Sequence, residues 1–165
     1  ALAQVVDRTG HSAHLAVLHG RDVLYVVEER APGRPPLVTD VGVRLPAHLT
    51  ASGRALLAAL PAAQVRALYP HADAFVDRTG RGPRSPSALR SLLVETRQRG
   101  HATEDGEVTE GLASVAAAVL DHTGHPAAGI AVTYPVDEQQ VDPAALAADV
   151  RRTAHLLTTR LGGRP

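Results

Sequence analysis

In the stretch "RLPAHLTASGRALLAAL", Arg44 to Leu60, the small or hydroxyl-bearing residues Thr50, Ser52 and Gly53 open an Ala/Leu-rich helix. A helix start exposes N–H groups without intrahelical acceptors and the positive end of the helix dipole, so it suits a carboxylate or phosphate. Ser52 lies one helical turn before Leu56 and so points to the buried face, while Gly53 leaves room for a ligand to reach the backbone. A plainer role fits the same residues: Thr50 caps the helix, and Ala51, Ser52 and Gly53 permit close packing on a sheet. His48, following Pro46 beside the helix start, is either a structural imidazole or a ligand contact.

A second cluster is "HATEDGEVTEG", which sets His101 near Glu104, Asp105, Glu107 and Glu110. Carboxylates and an imidazole at short spacing can hold a divalent metal, but no recognised ligand spacing is present. A solvated charged turn is the ordinary reading, and neither metal nor cofactor is expected. Of the nine histidines, His11, His14, His19, His71, His122, His125 and His155 are scattered over strand ends, turns and a helix, and read mostly as surface residues. There is no G-x-S-x-G elbow, no G-x-x-x-x-G-K loop and no H-E-x-x-H pair. Ser52 with His48 lacks a third group to orient the imidazole, so no catalytic residue is assigned and no enzyme is expected.

The 165 residues, 44% hydrophobic, suffice for one domain with one core. Absence of cysteine removes disulfides and thiolate metal sites and agrees with a cytoplasmic setting. Basic and acidic residues balance at 17 each, so no net field draws the domain to nucleic acid or anionic lipid. All the basic residues other than histidine are arginine in an Ala-, Gly- and Pro-rich chain, the mark of a GC-rich genome, which weakens them as evidence for phosphate binding. One Phe, three Tyr and no Trp leave little stacking surface for single-stranded nucleic acid. The longest apolar run, Val115 to Leu120, is far too short for a membrane span, and "ALAQVVDRTG" has no signal-peptide pattern.

These residues need elements to position them. Leu2, Val5 and Val6 at helical spacing imply that the chain opens within a helix and that a further segment precedes it. "HSAHLAVLHG" and "DVLYVVEER" read as a hairpin turning at His19 to Asp22, and Leu37 to Val43 as a third short strand. Residues 52, 55, 56, 59 and 60 share one helical face, and Pro61 starts a short helix at its first position. Residues 70–86 form a long polar connection before a helix capped by Ser85, apolar at Leu89, Leu92, Leu93 and Thr96, and stopped by Gly100. A strand then enters the acidic turn, "LASVAAAVLD" and "PAAGIAVTYP" form a second hairpin, and a last helix, Pro143 to Leu161, stripes Leu146, Val150, Thr153, Leu157 and Leu161. About five or six strands with flanking helices indicate an α+β domain with a mostly antiparallel sheet.

Three segments in this order resemble the effector-binding domain of IclR-type bacterial transcription regulators. They are the L-P-x-H…G-[KR]-x-x-L-A segment at Leu45 to Ala58, the R-x-x-G…E…G motif at Arg97 to Gly111, and the D-x-x-G-x-P hairpin at Leu112 to Val132. The resemblance implies a GAF-like domain over residues 10–165, with a central antiparallel sheet of about six strands flanked by helices. Residues 1–9 would then end an interdomain linker helix that follows a winged helix-turn-helix domain absent from this chain. It further implies a homodimer or homotetramer that contacts DNA only through that domain, with no membrane partner. The implied function is to sense a small organic acid and transmit its occupancy through oligomer geometry.

By the same resemblance, the pocket draws on Leu37 as an apolar wall and on Ala51, Ser52, Glu104, Ser114, Ala131 and Thr133, with Gly53 beside them and His48 and His101 as further candidates. Ala131 stands where a hydroxyl is frequent in the family and Ala51 where glycine is common, so a ligand with more apolar body, such as an aromatic acid, is expected. An ionised Glu104 would accept a hydrogen bond from a ligand hydroxyl or amine. Two alternatives stand beside the sensor: a dimerisation domain without ligand, and a small α+β enzyme.

Overall fold

A computed structural model describes all 165 residues. A six-stranded, wholly antiparallel sheet runs in the order β3-β2-β1-β6-β5-β4. Its strands are β1 (Ala13–His19), β2 (Asp22–Glu29), β3 (Arg44–Pro46), β4 (Ala102–Asp105), β5 (Leu112–Leu120) and β6 (Pro126–Pro135). The helices are α1 (Leu2–Thr9), α2 (Ala51–Ala59), α3 (Ala62–Leu68), α4 (Pro86–Arg99) and α5 (Pro143–Arg160). This is the α+β architecture that the alternation of hairpins and helices predicts.

Helices cover both faces of the sheet. On one, α2 and α4 bury Leu56, Leu57, Leu89 and Leu93 with Val23, Tyr25 and Leu45. On the other, α1 and α5 bury Val5, Val6, Leu146 and Val150 against Val119, Ile130 and Val132. A third cluster seats Ala51 and Ala55 of α2 on Ala102, Ala116 and Ala131, one alanine from each of β4, β5 and β6. Small side chains at that contact bring the helix start close to the sheet. Gly129 matters here because a Cβ on it would stand 3.1 Å from the Ser52 carbonyl.

Three expectations need correction. Leu37 to Val43 is not a strand: the third strand is Arg44–Pro46, pairing with Asp22, Val23 and Leu24 at the sheet edge. An edge strand tolerates a proline because that residue owes no ladder bond. Pro61 precedes α3 as its N-cap rather than opening it. In α5, Leu161 lies past the helix end and is exposed, although Leu146, Val150 and Thr153 are buried as the stripe requires.

Candidate functional site

Between the start of α2 and the middle of the sheet lies a small, partly open cavity of about 30 Å³, room for one or two water molecules. It is lined by Ala51 and Ser52 of α2, Glu104 of β4, Ser114 of β5, and Ala131 and Thr133 of β6. Leu37, Val38 and Thr39 roof it from the connection between β2 and β3.

Cross-strand register builds the floor. Glu104 stands opposite Ser114, and Ser114 opposite Thr133, so three polar side chains from neighbouring strands form one row. The Ser114 hydroxyl donates to Glu104 Oε1 at 3.1 Å and lies 2.8 Å from Thr133 Oγ1. The Glu107 amide donates to Glu104 Oε2 at 3.2 Å. At the helix start, Thr50 Oγ1 accepts from the Gly53 amide at 2.9 Å, which satisfies one amide of the first turn. Ser52 is buried, yet its Oγ has no hydrogen-bond partner. A buried hydroxyl without a partner costs roughly 1–3 kcal/mol, so an acceptor or donor placed in the cavity would recover that deficit.

Burial first, and then the nearby Glu107 charge, push the Glu104 carboxyl up to about 7. This revises the expected role: near neutral pH a large share of Glu104 carries its proton and can donate, which lessens the repulsion toward a ligand carboxylate. A carboxyl whose folded pKa exceeds its unfolded value adds stability that is complete below about pH 4.5 and lost as pH rises through about 7. Glu104→Gln is therefore expected to flatten the melting temperature between pH 5 and pH 8, a window in which the parent loses stability by this route. The difference is on the order of 1 kcal/mol, or about 2–4 °C. Parallel melting curves for the two proteins would exclude it.

Sequence reasoning missed several lining residues: His14, Tyr25, Thr39, Thr50, Val108, Thr109 and Leu112. His14 and His11 are buried rather than superficial. Desolvation lowers the His14 pKa to about 4, so its ring is neutral at pH 7. Its Nε2 lies 2.8 Å from Thr39 Oγ1 on the roof, and its Nδ1 has no partner.

Three candidates lie elsewhere. Gly53 does not face the cavity: a Cβ there would fall 2.1 Å from the Ala47 carbonyl, so its smallness serves the turn at Ala47–Leu49. His48 packs edge-on against Tyr69 and Phe75, with Nε2 2.9 Å from the Val76 carbonyl. His101 lines a separate groove. Asp105, Glu107 and Glu110 do not join His101 in a metal site, since no three such side chains converge anywhere in the chain. Glu107 instead pairs with buried Arg54, whose Nη2 donates to Glu107 Oε1 at 3.1 Å. Arg54 also donates to the carbonyls of His48 at 2.9 Å and Thr103 at 2.8 Å, tying α2 to the acidic turn.

Comparison with known proteins identifies the family and the fold. The family described as bacterial transcriptional regulator IclR C-terminal matches residues 1–159. The glycerol operon regulatory protein of Streptomyces coelicolor is 35% identical over 158 residues, 93% of this chain and 61% of that protein. The Pca regulon regulatory protein of Pseudomonas putida is 33% identical over 155 residues, 89% of this chain and 53% of that protein. The chain thus spans about three fifths or less of these relatives. The structure of Agobacterium tumefaciens repressor BlcR superposes with a TM-score of 0.86 at 32% identity, covering 99% of this chain and 65% of that one. Thermotoga maritima IclR shares the fold, with a TM-score of 0.88 at 23% identity over 98% of this chain and 65% of that one. No helix is long and apolar enough to cross a membrane. The relatives are named as regulators and not as enzymes, and this chain belongs to the IclR family, as the C-terminal effector-binding domain of such a regulator.

Proposed function

We propose that the cavity at the start of α2 receives a small organic acid with an apolar body, and that this occupancy is the signal the domain passes on. The observation that carries the reading is the pair of orphaned polar atoms, Ser52 Oγ and His14 Nδ1, on two buried residues that line one cavity. The ligand's carboxylate meets the first amides of α2 with the Ser52, Ser114 and Thr133 hydroxyls, while Leu37, Ala131 and Leu112 flank its apolar part. Protonated Glu104 donates to it.

At about 30 Å³ the cavity is too small for any organic acid beyond the size of a few waters, so the roof at Leu37–Thr39 opens for the ligand. In the full-length regulator, residues 1–9 continue from a linker helix that follows a winged helix-turn-helix domain. The protein acts in the cytoplasm as a homodimer or homotetramer. A ligand that favours one arrangement of paired subunits shifts DNA binding by its differential affinity for the two arrangements.

A thermal-shift screen of aliphatic and aromatic carboxylic acids, followed by calorimetric titration of the hits, tests the reading. Ser52→Leu is expected to abolish binding by filling the cavity. Ser52→Ala, which keeps the space, is expected to weaken binding by about 2–10-fold through loss of one hydrogen bond. Unchanged affinity in both variants would remove the cavity from consideration, and no stabilisation by any acid would leave a dimerisation domain.

A further inference from the structure

Strand β4 stops at Ala102, opposite Ala116, so β5 continues from Ala117 to Leu120 with no strand beside it on that edge. The gap is flanked by α2 and α4 on one side and α5 on the other, and forms an open groove of about 460 Å³, far roomier than the cavity at the start of α2. Its floor is small and apolar: Ala55, Ala58, Ala59, Ala117, Ala118 and Ala154. Its charged and titratable side chains are of one sign only, Arg97 and His101 on one wall and Arg151 and His155 on the other, and the end of the described chain, Pro165, lies against it.

Eight of the 17 arginines pair with a carboxylate, as Arg8 does with Asp149 and Arg34 with Glu138. Arg97 and Arg151 have no carboxylate partner. Arg97 gives one N–H to the Ala58 carbonyl at 3.1 Å, and the Arg151 guanidinium lies across Gly100 without a hydrogen bond of its own. Burial first, and then the charges of Arg99 and Arg151, hold the His101 imidazole below its ordinary value. Guanidinium groups on both walls above an alanine floor are complementary to a molecule with an apolar body and an anionic edge.

We propose that this groove is a second ligand site, taking an amphipathic organic anion whose charged group lies between Arg97 and Arg151 and whose apolar body rests on the alanines. The site is separate from the cavity at the start of α2, although shared elements build both. The same three elements line both: α2 through Ser52 and Ala55, β4 and its approach through Glu104 and His101, and β5 through Ser114 and Ala117.

The probe is 8-anilinonaphthalene-1-sulfonate, an apolar bicycle with one sulfonate, titrated by fluorescence into the 165-residue domain. It is expected to bind, to shift the amide resonances of Ala58, Ala117, Ala118 and Thr158, and to outbind its neutral analogue N-phenyl-1-naphthylamine by about tenfold or more, the worth of charge-assisted contacts. Arg151→Glu is expected to weaken the sulfonate by about tenfold or more, and Arg151→Gln by a smaller factor. Arg151 is exposed, so both variants should keep the parent's melting behaviour. Ser52→Leu is expected to leave the probe's affinity within about twofold, which separates this site from the one proposed above. Equal binding of the neutral analogue, unchanged affinity in Arg151→Glu, loss of binding in Ser52→Leu, or no binding at all would each overturn the proposal.

Discussion

Replacing Arg54 with methionine is expected to cost the domain about 3 kcal/mol, and therefore about 6–12 °C in melting temperature. The side chain is buried and spends its donors on two backbone carbonyls, those of His48 and Thr103, and on the Glu107 carboxylate. Methionine fills a similar volume but leaves all three acceptors short of a donor. Removing one member of a buried ion pair leaves the other charge uncompensated, which outweighs any gain from the more apolar side chain. Arg54→Lys should recover little, because an ammonium on a flexible stem cannot reach three acceptors in fixed directions as a planar guanidinium does. Chemical or thermal denaturation measures the loss, and a variant within about 1 kcal/mol of the parent would refute the role given to Arg54.

The second large effect belongs to Gly53. Alanine is the better helix former by about 1 kcal/mol, so propensity alone predicts that Gly53→Ala stabilises α2. Packing predicts the reverse. An added Cβ would stand 2.1 Å from the Ala47 oxygen, 2.4 Å from its Cα and 2.6 Å from its carbonyl carbon, all of them backbone atoms that cannot swing aside as a side-chain tip can. Overpacking of this kind costs about 1–3 kcal/mol, and contact with backbone belongs at the upper end, so a net loss of about 2 kcal/mol is expected. The turn that must shift also carries the His48 carbonyl that Arg54 holds. The Gly53→Ala and Arg54→Met changes should therefore fall short of additivity when combined. A Gly53→Ala protein as stable as the parent would show that the turn yields without cost.

How much of this is legible in the sequence depends on the kind of signal. Capping residues and periodic leucines locate α2, α4 and α5, since Thr50 and Ser85 accept from amides of the first turn and Leu89, Leu93 and Leu146 are buried. Both hairpins follow from apolar runs around tight turns. The third strand is misplaced because Leu37 to Val43 is apolar for another reason: Leu37 and Val38 roof a cavity, while the true strand ends in a proline that reads as a turn.

The error over His14 has a structural cause. An alternating strand is read as having a wet face, which would expose His14, but the start of α2 and the Leu37–Thr39 segment cover that position. Arg54 escaped notice because a helix of alanines and leucines offers no local sign that one arginine turns inward. The signal was long-range, in the acidic turn that holds Glu107. The row of Glu104, Ser114 and Thr133 came from family resemblance; strand spacing alone does not reveal it, because register between distant strands is not written in either one.

The roof has a further consequence. Its segment is pinned by two bonds between Arg34 and Glu138, at 2.7 and 2.8 Å, by the Ser12 hydroxyl on the Ala31 amide, and by Thr39 on His14. If the cavity beneath is the effector site, these contacts break before a ligand passes and re-form behind it. Association then becomes a two-step process whose observed rate levels off at high ligand concentration, at the opening rate of the segment. Dissociation must wait for the same opening. On that reading, Arg34→Ala is expected to speed both association and dissociation of the ligand, because the segment over the cavity loses its bonds to Glu138.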